Sequence, residues 1–219
     1  MRIRHIHNIE ITSKCNLKCM YCIHPGMDKA RKEHMSFETF NKVMKICKIL
    51  ESQGDKQDLW LHGLGEPLLH PDFLEMCEMA REVLPTRHIH TSTNAIAMTR
   101  EIGLKLKELG IGVHVSLHQA NNAAKGIKAI YDLGIIEQLG CNPIEQANDW
   151  AGQIEWFKQP RKNTCGWLGN GWVYVYADGK IGACCTDGKA LDTIGHIDEW
   201  GQVEIRQISL CKTCNLIAV

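Results

Sequence analysis

The sequence has no apolar run long enough to cross a bilayer as a helix, so the sequence reads as no membrane protein of that kind. It has no charge bias: Lys+Arg and Asp+Glu both number 25. That balance gives no sign of a membrane-surface or nucleic-acid footprint, and it leaves a nucleic-acid or nucleotide substrate open. MRIRHIHNIE at the N-terminus carries charges but no apolar h-region, so it does not read as a signal peptide. Internal repeats, low-complexity tracts and long linkers are missing as well. The expectation is a cytoplasmic chain of 219 residues forming one large domain, or one domain with a small appendage. Such a chain is long enough to bury a substantial core.

What the sequence has in quantity is cysteine. Eleven lie at 15, 19, 22, 47, 77, 141, 165, 184, 185, 211 and 214. Cytosolic thiols stay reduced, so a disulfide framework is not expected and metal binding is the better reading. Cys15, Cys19 and Cys22 form one group, spaced C-x3-C-x2-C. Cys165, Cys184, Cys211 and Cys214 form another near the C-terminal end.

Between residues 6 and 118 strand-like and helix-like runs alternate. Strands are expected at 6–12, 58–63, 87–92 and 112–117, and helices at 36–51, 70–84, 98–109 and 119–133. Ser36 is a natural N-cap, followed by an apolar face of Phe37, Phe40, Val43, Met44, Cys47 and Leu50. Pro71 is expected in the first turn of the second helix. Alternation of this kind implies parallel pairing with right-handed crossovers. Five or six β/α units fit before residue 160, too few for a closed eight-unit barrel. The fold class expected is therefore α/β, a partial (β/α) barrel open on one side. Residues 1–160 would form it, and 161–219 a small C-terminal β-hairpin module that carries the second cysteine group.

Strand parity adds to this. Side chains alternate between faces, which groups Trp60 with His62, His88 with His90 and Ser92, and His114 with Ser116 and His118. Strands buried on both faces normally read as continuous apolar runs. A polar, histidine-rich face on three strands reads as the lining of a substrate cavity; for any one histidine, a hydrogen-bonded core position is the simpler reading. Farther on, WVYVYADGKIGACC places Asp178-Gly179 between alternating runs, a strong hairpin signal. The segment after about 160 is too short for a core of its own, and such modules usually need a metal.

The first cysteine group follows the first strand directly, at the end of the strand where α/β sites lie. Three thiolates hold three irons of a [4Fe–4S] cube and leave the fourth open to a small molecule. His24 is an alternative fourth ligand, though its nearness to Cys22 makes the geometry awkward. In the second group four thiolates close a site completely, as either an iron–sulfur cluster or a four-cysteine zinc site. Cys185 is a possible exchange ligand beside Cys184, and Cys47 and Cys77 read as small core residues.

C-x3-C-x-Tyr-C at the end of a first barrel strand resembles the radical S-adenosylmethionine (radical SAM) superfamily. The resemblance implies that S-adenosylmethionine chelates the open iron of the cluster on Cys15, Cys19 and Cys22. GLGEPLLHPDF at 63–73 resembles the family's Gly-Gly-Glu element, with Gly65 and Glu66 matching and Leu64 departing. Glu66 is thereby expected to meet the methionine ammonium. TSTNA at 91–95 stands where many relatives have Thr-Asn-Gly, so Asn94 is a cofactor-binding candidate and Ala95 a departure. Ser116 is expected at the ribose hydroxyls and the Tyr21 backbone near the adenine. The spacing of Cys165, Gly179, Cys184, Cys211 and Cys214 resembles the twitch module, the short form of the SPASM domain. With five residues left after Cys214, it implies one auxiliary [4Fe–4S] cluster and two clusters in all.

One architecture the resemblance offers is the 2-deoxy-scyllo-inosamine dehydrogenase type. It implies a two-electron oxidation of a small-molecule substrate, an auxiliary cluster that moves an electron, and an external one-electron donor such as flavodoxin or ferredoxin. The alternatives are epimerisation or rearrangement, with Cys141 as hydrogen-atom donor, and modification of a peptide or nucleotide. His62, His90, His114, His118 and Glu10 are proton-acceptor candidates by parity. A non-catalytic iron–sulfur or zinc-binding module is the reading outside enzymes.

Overall fold

A computed structural model describes residues 1–28, 32–140, 150–151, 153–154 and 165–214. Its centre is an eight-stranded sheet: β1 His5–Ile9, β2 Leu59–Trp60, β3 Ile89–Thr93, β4 Ile111–Ser116, β5 Ile136–Gly140, β6 Trp172–Val175, β7 Lys180–Gly182 and β8 Gly195–His196. The spatial order is β5-β4-β3-β2-β1-β6-β7-β8. The first five strands are parallel and neighbour one another in chain order. Right-handed crossovers then carry every helix to the same face. This is the winding of a (β/α) barrel cut open, as expected.

Four helices cover that face: α1 Phe37–Ser52, α2 Phe73–Val83, α3 Arg100–Glu108 and α4 Ala120–Ile130. Ser36 caps α1, its Oγ accepting from the Thr39 N–H at 3.0 Å. Phe37 departs from the expected apolar face and is exposed, because as the first helical residue it projects beyond the packed turns. α2 starts at Phe73 with Asp72 as N-cap, two residues past Pro71. The 3-10 turn Pro67–Leu69 takes up the intervening chain. Cys47 and Cys77 are buried in the core, as expected of small apolar side chains.

The hairpin falls where the Asp-Gly pair puts it. β6 and β7 pair antiparallel, and Gly179 takes φ +83, the left-handed conformation that favours glycine. It is not a free-standing module. β6 pairs parallel with β1, and Val173, Val175 and Ile181 join the same core cluster as Ile6, Phe40 and Val113. One core serves both segments, so the hairpin needs no hydrophobic core of its own. The boundary expected at 160/161 and Cys141 both lie outside the described residues. Among the described residues, no helix is long and apolar enough to cross a membrane.

Candidate active site

Strand β1 runs into the cysteine loop, and the loop's root is held from two sides. On one side the Ser13 N–H and the Thr12 and Ser13 hydroxyls all donate to the Glu33 carbonyl at 2.9–3.2 Å. On the other, the Glu66 N–H donates to the Lys14 carbonyl at 2.7 Å. That second contact needs Gly65: a Cβ there would lie 2.3 Å from the Thr12 carbonyl oxygen and 2.6 Å from that of Lys14. The glycine of the GLGE stretch is thus a requirement of close backbone approach.

Glu66 is buried, and its carboxylate joins two strand ends. Oε1 accepts from the Thr93 hydroxyl at 2.5 Å and the Leu68 N–H at 3.2 Å, and Oε2 from the Asn94 N–H at 2.7 Å. Burial raises its pKa, and these hydrogen bonds oppose the rise. Its first task is therefore to lock the second and third strand-end loops together. The Asn94 side chain donates to Asn16 Oδ1 at 2.8 Å, tying that lock to the cysteine loop. Ala95 adopts φ +58, so the departure from Thr-Asn-Gly falls on a left-handed residue, where glycine is unstrained.

Cys15, Cys19 and Cys22 are half-buried. Leu17 and His24 direct N–H groups at Cys15 and Cys22 Sγ, at 3.5 and 3.4 Å. Burial raises all three thiol pKa values, that of Cys22 to about 11, with mutual repulsion adding to it for Cys15 and Cys22. A trio like this becomes thiolate only with a cation to hold it, and the N–H donors suit sulfur that carries charge. His24 does not complete the set: its Nε2 donates to the Ser13 carbonyl at 2.9 Å, which makes the ring a strut beneath the loop. Ser116 Oγ lies 3.5 Å from Ser92 Oγ. The Tyr21 carbonyl accepts from the Trp150 indole at 3.0 Å, and its ring stands 6.0 Å from His118.

The second group gathers as well. Cys165, Cys184, Cys211 and Cys214 line one small apolar cavity with Trp167 and Leu168. The Thr186 hydroxyl lies 3.0 Å from Cys184 Sγ, and the Ile208 N–H donates to Cys211 Sγ at 3.4 Å. Burial raises the pKa of Cys184 to about 11. A single tetrahedral zinc ion with Zn–S bonds of about 2.3 Å brings its thiolates within roughly 3.8 Å of one another. Among the described residues, no three thiols lie within 4.8 Å of one another. Four thiols around one cavity can serve the corners of a cluster or a single zinc ion.

Between the two cysteine groups a cavity of about 410 Å³ opens on the face of the sheet opposite the helices. His7, Trp60, His62, Ser92 and His114 line it from β1 to β4 and the loop after β2, with Tyr174, Trp167 and Cys185 from the C-terminal segment. The parity grouping of Trp60, His62, Ser92 and His114 is realised here. Cys185, which spacing marked only as an exchange ligand, faces this cavity while Cys184 faces the thiol cavity. Adjacent residues point to opposite sides, and that alternation was the available signal. Glu10 is not in the cavity wall. It is fully buried, and Oε2 accepts from the Tyr174 hydroxyl at 2.8 Å and the Leu64 N–H at 2.9 Å.

Burial lowers the His62 pKa to about 3, helped by His7, His114 and His90, and that of His7 to about 4, helped by His5. Both rings are neutral in the fold and take a proton when unfolded below pH 6.5. Stability is therefore full above pH 6.5 and falls as the pH drops toward 4. Denaturant midpoints measured from pH 7.5 to 4.5 should decline accordingly, and His62→Asn should flatten the slope. Stability rising on acidification would contradict the assignment of neutral rings.

An open parallel half-barrel with a three-thiolate loop at the end of its first strand defines a class of enzyme scaffold. The Radical SAM superfamily matches residues 9–135, more than half of the chain, and the chain belongs to that superfamily. The family implies a [4Fe–4S] cluster and S-adenosylmethionine, and the thiol loop fits the cluster on the grounds given. The chain is 25% identical over 169 residues to GTP 3',8-cyclase of Vibrio vulnificus, covering 68% of this chain and 49% of that protein. It is 34% identical over 142 residues to a probable GTP 3',8-cyclase of Methanocaldococcus jannaschii, covering 64% and 44%. It thus spans about half the length of these curated relatives. In fold it resembles BtrN in complex with AdoMet and 2-DOIA, with TM-score 0.74, 21% identity and coverage of 91% of this chain and 80% of that one. It also resembles anSMEcpe with bound AdoMet, with TM-score 0.62, 15% identity and coverage of 96% and 83%.

Proposed function

We propose that this chain oxidises a small molecule by two electrons, using S-adenosylmethionine on the Cys15, Cys19 and Cys22 cluster and a second [4Fe–4S] cluster on Cys165, Cys184, Cys211 and Cys214. When bound, the first cluster and S-adenosylmethionine supply one-electron reductive cleavage to a 5′-deoxyadenosyl radical, which removes a hydrogen atom from the substrate. One observation carries the reading: the substrate cavity and the thiol cavity share a wall. Trp167 lines both, and the neighbours Cys184 and Cys185 face one each. A cluster on the four thiols would give a substrate in the larger cavity an electron acceptor across that wall.

The chain's own groups supply the rest. Trp60 and Trp167 offer apolar faces that exclude water, and Gly65 and Glu66 hold the cysteine loop against the strand ends. His114 lines the cavity, and its neutral imidazole can accept the substrate proton; His62, its pKa lowered to about 3 by burial, is too weak a base for that step. The first electron comes from an external donor such as flavodoxin or ferredoxin.

Cys185 favours a second reading, in which its thiol returns a hydrogen atom and the reaction is an epimerisation. Deuterium tracing separates the two. GTP and 2-DOIA, the small molecules named with the relatives, are the first substrates to try. Oxidation transfers one substrate deuterium to 5′-deoxyadenosine per turnover and survives Cys185→Ala. Epimerisation brings solvent hydrogen into the product and stops in Cys185→Ala. If no substrate deuterium reaches 5′-deoxyadenosine, hydrogen abstraction by this site is refuted.

A further inference from the structure

Nearer the start of the strands than the cysteine loop, three strands bring together buried His90 of β3, half-buried His114 of β4 and exposed Glu137 of β5. One ligand atom from each lies within 4.8 Å of the other two. His90 Nδ1 is 2.5 Å from Glu137 Oε2, and His114 Nε2 is 3.4 Å from the same oxygen. We propose that these three residues form a binding site for a divalent first-row transition ion such as Zn²⁺. Two imidazoles and one carboxylate, with coordination positions left open, are a donor set that suits zinc or iron(II). An ion with bonds near 2.0–2.1 Å spaces its ligand atoms by about 3.3 Å. The His114–Glu137 pair already has that spacing, and the His90–Glu137 pair opens slightly to admit the ion.

Two further features aim this cluster inward. The first is backbone. Opposite β4, Val113 pairs with Ile136 and His114 with Gln138, so Glu137 is the extra residue of a β-bulge. Bulges re-aim side chains in this way. Gly112 leaves the space: a Cβ there would meet the Glu137 carboxylate at 2.1–2.3 Å. The backbone of Gly112 is not in a left-handed conformation, so what the glycine provides is room for the carboxylate to cross β4 to His90.

The second feature is His90 itself, which is 4% exposed. Its Nε2 is buried and has no hydrogen-bond partner among the described residues, although Asp58 Oδ2 lies 3.3 Å away. A metal-bound imidazole commonly turns its other N–H to a carboxylate, and a small rotation of the His90 ring on loading achieves this. His88 Nε2 also reaches Glu137, at Oε1 and 3.1 Å, from an exposed position at the rim.

Of the three residues His114 alone lines the substrate cavity, so an ion held here would stand at that wall and would take the His114 nitrogen as ligand in place of its role as proton acceptor. Resting on the oxidation reading above, the ion would act there as a Lewis acid on a substrate oxygen and make its proton easier to lose. The site itself does not depend on that reading.

The test uses the cluster-loaded protein, whose thiols are occupied, stripped with a chelating resin and dialysed against Zn²⁺ without S-adenosylmethionine or substrate. Zinc and iron are then counted together. The wild type should hold about one Zn²⁺ per chain. Gly112→Ala, whose methyl displaces only a flexible carboxylate, and His114→Ala should lose it with iron unchanged. Asp58→Asn should weaken binding by about tenfold. Equal zinc in the wild type and in both iron-loaded variants overturns the proposal, as does no zinc in the wild type. Loss in His88→Ala with retention in His114→Ala overturns the ligand assignment. Formation of 5′-deoxyadenosine, scored separately, tells failure of this site from failure of the radical chemistry.

Discussion

Replacing Gly65 by alanine should remove S-adenosylmethionine cleavage while leaving every cysteine in place. The added methyl would lie 2.3 Å from the Thr12 carbonyl oxygen and 2.8 Å from the Ser13 carbonyl carbon. These are backbone atoms of the segment that leads into Cys15, so they cannot turn aside as a side-chain tip can. Either the cysteine loop shifts or the 63–66 turn lifts from it, breaking the Glu66 N–H to Lys14 carbonyl bond. Displacement of a positioned group by about 1 Å can cost about 100-fold in rate. The expected result is therefore a loss of 5′-deoxyadenosine formation of about 100-fold or more, with reduced iron in the first cluster. A Gly65→Ala protein at the wild-type rate would show that the contact does not position the loop.

Glu10→Ala should be the most damaging substitution to stability among the side chains of the site. Glu10 joins β1, the loop after β2 and the hairpin at a point sealed from water. Its loss leaves the Leu64 N–H and the Tyr174 hydroxyl buried without this acceptor, at about 1–3 kcal/mol each. Taking about 4 kcal/mol for the pair, Tm should fall by roughly 8–16 °C. Tyr174→Phe removes one donor and leaves the carboxyl its bond to Leu64, so its cost should be about 1 kcal/mol. If Glu10→Ala were no more damaging than Tyr174→Phe, Glu10 would not be the junction described. Tyr174 lies on β6, which pairs with the strand β7 that precedes Cys184, so auxiliary iron should fall along with Tm.

Much of this was legible in the residues, and the reasons differ from place to place. The partial barrel followed from alternating runs because parallel strands and crossover helices leave distinct apolar periods. The cavity wall followed from parity because Trp60, Ser92 and His114 sit in strands and His62 continues the alternation just past β2. Parity was not read on the fifth strand, where a β-bulge brings Glu137 across to His90 and His114, and no residue type in that stretch announces a bulge. Glu10 was misread for a related reason. Its parity was sound, but the hairpin 164 residues farther on brings Tyr174 to it. No local pattern encodes that meeting. The C-terminal segment was read as a separate module because its texture changes near 160, yet pairing of β6 with β1 merges it into one sheet. Gly65 was matched by resemblance alone, and the carbonyls of Thr12 and Lys14 supply its physical reason.

The central claim is that Cys15, Cys19 and Cys22 hold the cluster at which S-adenosylmethionine is cleaved. It is tested most directly by measuring 5′-deoxyadenosine from anaerobically reconstituted protein, with dithionite as reductant, for the wild type and for the variant with all three replaced by alanine. The wild type should form 5′-deoxyadenosine, and the variant should form none while keeping the iron of the auxiliary site. Equal formation by both proteins would contradict the claim.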